Sequence, residues 1–551
     1  MSVVQMKPRT DATRQELAPG VSIPKRAWSA DARRVLVPGA VSLVATLHRA
    51  LEAERQTLLA ARTKWQAQID AGGLPEYLAR TSPAATGSWT IAPIPADLLT
   101  RRVEITGPAN SAKMVINMLS RTAEGVRADT AMLDLEDAMK PEWGNVMASV
   151  LNVGAAAAGT LTHEEQGPAG TKAYKLNPQD RAVIIVRPRG LHLNEVNLTV
   201  DGTPVSGALL DLALTAFHGA PPLVAQGLTP AYYIPKTEHA AEAAWWSAAL
   251  AKMEDVLGFS RGTLKATFLI ETLPAAFEME EILFAAREHA VGLNVGRWDK
   301  IFSDIKTLKR HESRILADRA RIGMDQPWMA NYALRCVQIS HSRGAFGIGG
   351  MAAFTPGRSA ELRAQQTAKV IEDKRLEADR GHDGCWVSHP YFIAPALSAF
   401  PRANQLDVTH PGRDKYPDLL PKAGFPRTLA GLRTNVRVGI GYLNGWQHGI
   451  GCVAWDNLME DLATLEISRA QTWQWLHYGV QLEDGQKVTG ALVSEAFAGE
   501  LERIRGEVRE GLHGTPDAAL EQGFVRAAAE AERIFTRPEL SDFLTLESEP
   551  V

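Results

Sequence analysis

Glu271 closes the apolar run KATFLIET (265–272), and Asp299 closes VGLNVGRWD (291–299), 28 residues further on. That separation is one strand plus one helix, so neighbouring strands of a parallel sheet would bring both carboxylates to one rim. Two acids with no histidine or cysteine beside them suit a hard cation such as Mg²⁺, which keeps waters or substrate oxygens in its shell. A pair of solvated loop acids has the same spacing, and spacing alone does not separate the two.

Arg187 and Arg189, in RPRG, follow the apolar run AVIIV. At least one guanidinium should point to the end of that strand, where a permanently charged fork can hold a carboxylate or a developing enolate oxygen. A surface ion pair is the alternative. In NLMEDLATLEISRAQTWQW (457–475), a helix running back through Leu458 places Asp461 beside Leu458 and Leu465 and turns Glu460 nearly opposite. A half-desolvated carboxylate there is a stronger base, as proton abstraction from carbon requires. Aspartate is also a favoured helix N-cap, with Glu466 too far on for a capping box. The glycine-rich runs GAFGIGGMAAFTP (344–356) and VGIGYLNGWQHGIGC (438–452) allow close backbone approach to a ligand, but neither follows a phosphate-loop or dinucleotide fingerprint. Cys452 is read as a packing residue.

The elements that must position these groups follow from periodicity. From 103 to 390, short β-rich runs alternate with longer helical ones, the pattern of βα units around a parallel sheet. The strand candidates are VEITGP (103–108), AMLDLED (131–137), AVIIVRPRG (182–190), AYYIPKTE (231–238), KATFLIET, VGLNVGRWD, VQISHSRG (337–344) and GCWVSHP (384–390). Eight such runs predict an α/β fold, a closed (β/α)₈ TIM barrel. Asp134, Glu136, Asp137, Arg187, Lys236, Glu271, Asp299 and His389 gather at their C-terminal ends, where TIM barrels carry their sites. Before the barrel, Val44, Leu47, Leu51, Leu58, Trp65 and Ile69 mark one helical face, and 81–98 is a turn-rich linker. The expected organisation is an N-terminal helical clasp and linker (1–99), the barrel (100–395), a proline-rich linker (396–425) and an all-helical C-terminal domain (426–551) with an apolar face at Leu458, Leu462, Leu465 and Trp473.

Composition narrows the function classes. With 551 residues, 45% apolar and 22% charged, the chain is an ordinary globular protein. Its 59 basic and 63 acidic residues are scattered, giving a net charge of −4 and no basic stripe for nucleic acid. Cys336, Cys385 and Cys452 are too widely spaced for a disulfide framework or a CxxC metal site. The opening MSVVQMKPRTDATRQELAPG has no apolar signal core, no stretch is expected to reach the roughly 20 apolar residues of a membrane span, and ESEPV is not a peroxisomal tripeptide. The expectation is a cytoplasmic protein with no membrane partner.

The stretches RRVEITGP, MLDLEDAMKPEW, RPRGLHLNE, IETLPAAFEMEEIL, REHAVGLNVGRWDKIFSDIK, RGAFGIGGMAAFTP, DKRLEADRGHDGCWVSHP and NLMEDLATLEISRAQTWQW, in this order, resemble the malate synthase family, in its shorter A-type branch, over most of 100–480. The resemblance implies condensation of acetyl-CoA with glyoxylate, hydrolysis of the resulting malyl-CoA to malate and CoA, and a monomer. It makes Glu271 and Asp299 the Mg²⁺ ligands, Arg187 the enolate-stabilising cation and Asp461 the general base. Backbone amides around Gly296 and Trp298 would meet the glyoxylate carboxylate, with Glu136 and Asp137 in a water network behind the metal.

Three features depart from the family pattern: Leu462 and Leu465 stand where alanines are usual, HSRG (341–344) lacks a second basic residue before its arginine, and Lys300 replaces a common aromatic. Other classes are a malyl-CoA lyase or related CoA-ester aldolase, whose chains are usually much shorter, and a silent barrel acting as a binding protein, which would have lost the metal pair or the base. A Mg²⁺ phosphoenolpyruvate-type barrel enzyme is the third, and it would not need the MEDLAT segment.

Overall fold

The computed structural model describes residues 13–167 and 170–546. Eight strands, β1 (Val103–Pro108), β2 (Thr130–Asp134), β3 (Val183–Arg187), β4 (Ala231–Ile234), β5 (Lys265–Ile270), β6 (Ala290–Val295), β7 (Phe346–Ala352) and β8 (Gly384–Val387), form a closed barrel in the order β4-β5-β6-β7-β8-β1-β2-β3, with parallel neighbours where the register is defined. Met132, Ile185, Leu269, Val291 and Ile348 belong to one buried cluster with Tyr233 and Trp386. A polar floor joins them: Arg101 donates to Glu104 (2.6 Å), Tyr233 (2.7 Å) and Thr267 (2.8 Å), and Trp386 Nε1 donates to Glu104 (2.8 Å). Every arm of that buried guanidinium has a partner, as its desolvation requires.

Two expectations about the strands are corrected. VQISHSRG ends a helix, Pro327–Ser342, and the seventh strand is the glycine-rich FGIGGMA that follows. Val337 and Ile339 alternate as in a strand, but with Tyr332, Ala333 and Cys336 they make the buried face of a helix; Gly344, at φ +73°, ends the turn beyond it. Asp299 does not end β6: the strand stops at Val295, and Asp299 lies in the first turn of helix α1 (Arg297–Thr307), where the helix dipole favours an acid.

The expected N-terminal face forms a long helix, Pro38–Asp70, against helices Gly207–Ala225 and Ala240–Leu257. Its Arg62 donates to Glu242 (2.6 Å) and to the carbonyl of Lys236 (2.8 Å), fixing the loop after β4. The first hundred residues are not purely helical, because Arg14–Ala18 and Val21–Pro24 join Asn194–Val200 and Thr203–Ser206 in a four-stranded sheet. Against the reading of composition, Gly207–Ala225 is long and apolar enough to cross a membrane; 67% of its most apolar 18-residue stretch is buried in the fold, where that apolarity is core packing.

The carboxy-terminal region contains helices α2 (Leu429–Trp446), α3 (Leu462–His477), α4 (Gly490–Arg509) and α5 (Ala518–Phe535). Leu458 is not on α3 as expected, because Val453–Trp455 and Leu458–Glu460 pair as a hairpin. The hairpin is stitched to the barrel beyond β7: Thr355 N–H donates to Asn457 O (2.9 Å) and Met459 N–H to Ala353 O (2.7 Å). The second glycine-rich run serves packing rather than a ligand. Gly439 and Gly441 lie within α2, and a Cβ on either would come within 2.6 Å of the Phe535 or Trp455 ring.

Candidate active site

The strand ends decide what meets at the barrel mouth. Asp134 and Arg187 are register partners closing β2 and β3. Arg187 Nε donates to Asp134 Oδ1 at 2.7 Å and Nη2 to Oδ2, a fork on one carboxylate. Its remaining nitrogen, Nη1, faces Glu136 (3.4 Å) and Asp137 (3.6 Å) in the loop after β2. Arg189 is engaged instead by Asp211 and Glu195, so of the two arginines Arg187 joins the acids of the mouth.

Ile270 and Val295 are register partners on β5 and β6, so Glu271 and Gly296 lie side by side one residue beyond. A Cβ on Gly296 would sit 2.6 Å from Glu271 Cβ, which explains glycine there. Gly296 is also the N-cap of α1 with no side-chain capping bond, and Asp299 follows in the first turn. Backbone amides at a helix N-terminus suit a small carboxylate. Trp298 is half-buried, with the Arg297 guanidinium 4.5 Å from its ring centroid.

Lys236, noted only as a strand-end polar residue, is the centre of the arrangement. Its Nζ lies 2.7 Å from Asp137, 3.1 Å from Asp299, 3.2 Å from Glu136 and 3.4 Å from Glu271. Its backbone, at φ +51°, is left-handed, a conformation that costs a non-glycine residue about 1–3 kcal/mol. In that conformation its N–H donates to Glu271 Oε1 at 2.7 Å. Burial alone would depress the ammonium, and the four carboxylates reverse this and raise it well above its usual range.

Burial, then the charge of Asp137, pushes Glu136 well above the carboxylate range. Burial works against Asp137 too, but Lys236 and Arg187 hold it below its ordinary value. Burial raises Asp299 despite Lys236. The donor set fits a hard divalent cation: it is all oxygen, four carboxylates surround one ammonium, and Glu136 Oε2 and Asp137 Oδ1 are buried without hydrogen-bond partners among the described residues. Among the described residues no three acids or histidines already stand as a ligand shell, and the four carboxylates are spaced around Lys236 instead.

Asp461 combines a helix cap with a carboxyl raised by burial. It is the N-cap of α3: its carboxylate accepts from Thr464 N–H (3.3 Å), and its own N–H donates to Thr464 Oγ1 (3.0 Å). Thr464 completes the capping box in place of a glutamate. Burial, then the charge of Asp137, raises its carboxyl to about 7, against the opposing effects of Arg187 and Lys236. A cap at the start of α3, rather than a position along its face, is what directs it at the barrel. Leu462 N–H donates to Asp137 O (3.3 Å), and Arg319 ties Glu460 (3.2 Å) to Ser468 (3.0 Å).

The remaining sequence features fall outside this arrangement or at its edge. His389 caps a short 3₁₀ turn, accepting from Tyr391 N–H. His341 pairs with Asp383 and Arg343 with Glu280, so HSRG is structural. Lys300 is buried against Asp304 at 2.6 Å, and burial raises that acid to about 6. Cys452 is half-buried, its thiol pushed to about 12 by burial and by the charges of Asp461 and Asp134.

Three family models match the chain: "Malate synthase, N-terminal domain" over 21–82, "Malate synthase, TIM barrel domain" over 183–414 and "Malate synthase, C-terminal" over 426–549. Among curated proteins the chain is 42% identical to malate synthase A of Escherichia coli (strain K12), covering 95% of this chain and 96% of that one. It is 44% identical to malate synthase of Myxococcus xanthus (strain DK1622), over 96% of each, and 39% identical to glyoxysomal malate synthase of Glycine max, over 96% of this chain and 94% of that one.

Proposed function

The chain belongs to the malate synthase family, and from that premise we propose that it condenses acetyl-CoA with glyoxylate at the mouth of the barrel and hydrolyses the thioester to release malate and CoA. The observation that carries this reading is the placement of Asp461, a carboxyl raised to about 7, at the cap of a carboxy-terminal helix tied to the loop of Glu136 and Asp137. A base poised near neutrality suits abstraction of a carbon-bound proton.

Glu271 and Asp299 would hold Mg²⁺, with Lys236 setting their spacing. The bound ion supplies Lewis acidity and a template for a chelating 2-oxo acid. The amides around Gly296 and Trp298 orient the carboxylate of glyoxylate. Asp461 takes a proton from the acetyl methyl group, and Arg187, clamped by Asp134, presents Nη1 to the developing enolate oxygen. The enolate carbon attacks the aldehyde carbon, the π pair of the aldehyde moves onto its oxygen, and that oxygen takes up a proton to give malyl-CoA. Glu136 and Asp137 then orient a water toward the thioester, and burial under the carboxy-terminal domain excludes bulk solvent.

A thiol-release assay with acetyl-CoA, glyoxylate and Mg²⁺, omitting each in turn, tests the reading. One thiol per malate, with no malyl-CoA at the end, is the expected result. Malyl-CoA as the main product, or cleavage of supplied malyl-CoA to acetyl-CoA and glyoxylate as the dominant activity, identifies a lyase instead.

A further inference from the structure

Beyond α5 the chain crosses back over the barrel as a strap, residues 539–546. Glu539 pairs with Arg310 (2.6 Å), and Lys309 Nζ donates to Leu540 O (3.3 Å), fastening the strap near the end of α1. Arg469 of α3 donates to Ser541 Oγ (2.9 Å) and to its carbonyl (3.1 Å), and Leu544 N–H donates to Glu466 Oε1 (2.6 Å). Between these ties Phe543, 5% exposed, is driven into the barrel side. Its ring stacks on His192 (centroids 4.2 Å apart, planes at 25°) and meets the edge of Phe302 (5.7 Å), with Lys306 Nζ 4.8 Å from its centroid. The strap therefore grips the barrel and the helix capped by Asp461 at once.

Phe543 also walls a small cavity with Glu136, Asp137, His192, Lys236 and Leu462, offering about 10 Å³ to a water's centre. That is room for about one molecule. Three buried polar atoms of its lining residues, Glu136 Oε2, Asp137 Oδ1 and His192 Nδ1, have no hydrogen-bond partner among the described residues. Buried polar atoms in that condition recruit an ordered water when space allows.

We propose that the carboxy-terminal strap is a positioning element for the hydrolytic half of the reaction: Phe543 closes a one-water cavity beside Glu136 and Asp137 and so holds the water that cleaves the thioester. This rests on the synthase reading above. The oxygen of that water forms the new C–O bond at the thioester carbonyl carbon, and one of its protons passes to a carboxylate of the cluster. The C–S bond breaks with its electron pair on sulfur, and the thiolate leaves as CoA after taking up a proton. Condensation does not use this water, so the two half-reactions should respond differently to the strap.

Single-turnover reactions, quenched and resolved by chromatography into acetyl-CoA, malyl-CoA and malate, test this with wild type, Phe543→Ala and Phe543→Leu. In Phe543→Ala, condensation should stay within about threefold of wild type while hydrolysis falls about tenfold or more, with malyl-CoA appearing, as expected for loss of a positioned reactant. Phe543→Leu, which keeps an apolar cap, should restore most of the hydrolysis. His192→Gln changes the same wall from the barrel side and should give the same skew, which decides the matter if Phe543→Ala does not fold. Equal loss of both half-reactions, or an unchanged ratio of malyl-CoA to malate in the folded variants, overturns the role of the strap. A wild-type enzyme that forms neither product from acetyl-CoA and glyoxylate overturns the synthase reading instead.

Discussion

Asp461→Asn separates the two jobs of one residue. Asparagine caps a helix about as well as aspartate, so the start of α3 should survive the change. Removing the proton acceptor should lower Mg²⁺-dependent turnover by at least about 10²-fold, the usual scale of a general base. Stability should move the other way. The carboxyl rises from its ordinary 3.8 to about 7 in the folded protein. An acid raised on folding costs the native state nothing below its unfolded value, progressively more between about pH 4 and 7, and a constant amount above. About three units at ~1.4 kcal/mol each set a ceiling of roughly 4 kcal/mol. Asp461 is half-buried, and solvent screening brings the realised cost to ~1–2 kcal/mol. Urea unfolding of both proteins in chelator, between about pH 4.5 and 8.5, reads this directly. The variant should gain stability over wild type as pH rises to about 7 and hold a constant advantage beyond. A variant as active as wild type, or a stability gap that is absent or flat below pH 7, refutes the argument.

Glu271→Gln and Asp299→Asn should each abolish calorimetric Mg²⁺ binding; the isosteres are the cleaner variants because both residues proved buried, and undiminished binding in both would remove the pair as ligands. Gly296→Ala, whose Cβ would press on Glu271 at 2.6 Å, should weaken Mg²⁺ binding more than it lowers the melting temperature. Gly441→Ala should do the reverse, costing about 1–3 kcal/mol by crowding Trp455 while leaving metal affinity intact. Arg187→Lys keeps the charge but loses the fork on Asp134, so turnover should fall with little change in the KM for glyoxylate; full activity would show that planarity at this position is irrelevant.

Much of the molecule is determined locally. Seven of the eight barrel strands announce themselves as short apolar runs, because each is buried on both faces and its composition has little freedom. The charged residues of the site are visible for a related reason: a charged residue closing an apolar run must lie at the barrel rim, so Asp134, Glu136, Glu271 and Lys236 are marked by position alone. Where two elements share a pattern, the sequence is ambiguous. VQISHSRG alternates like a strand, yet it is helical because its apolar residues also make one helix face and because FGIGGMA, with no strong strand signal, fills the seventh place in the barrel. Asp461 as base or cap was likewise undecidable, since capping depends on its own backbone whereas the rise to about 7 depends on Asp137 and on burial supplied by another domain. Only the tertiary structure places Lys236 among four carboxylates contributed by two strand ends and a helix, or brings Phe543 to His192 across 351 residues of chain. Contacts between groups so far apart are set by how the elements pack, and short-range periodicity carries no record of them.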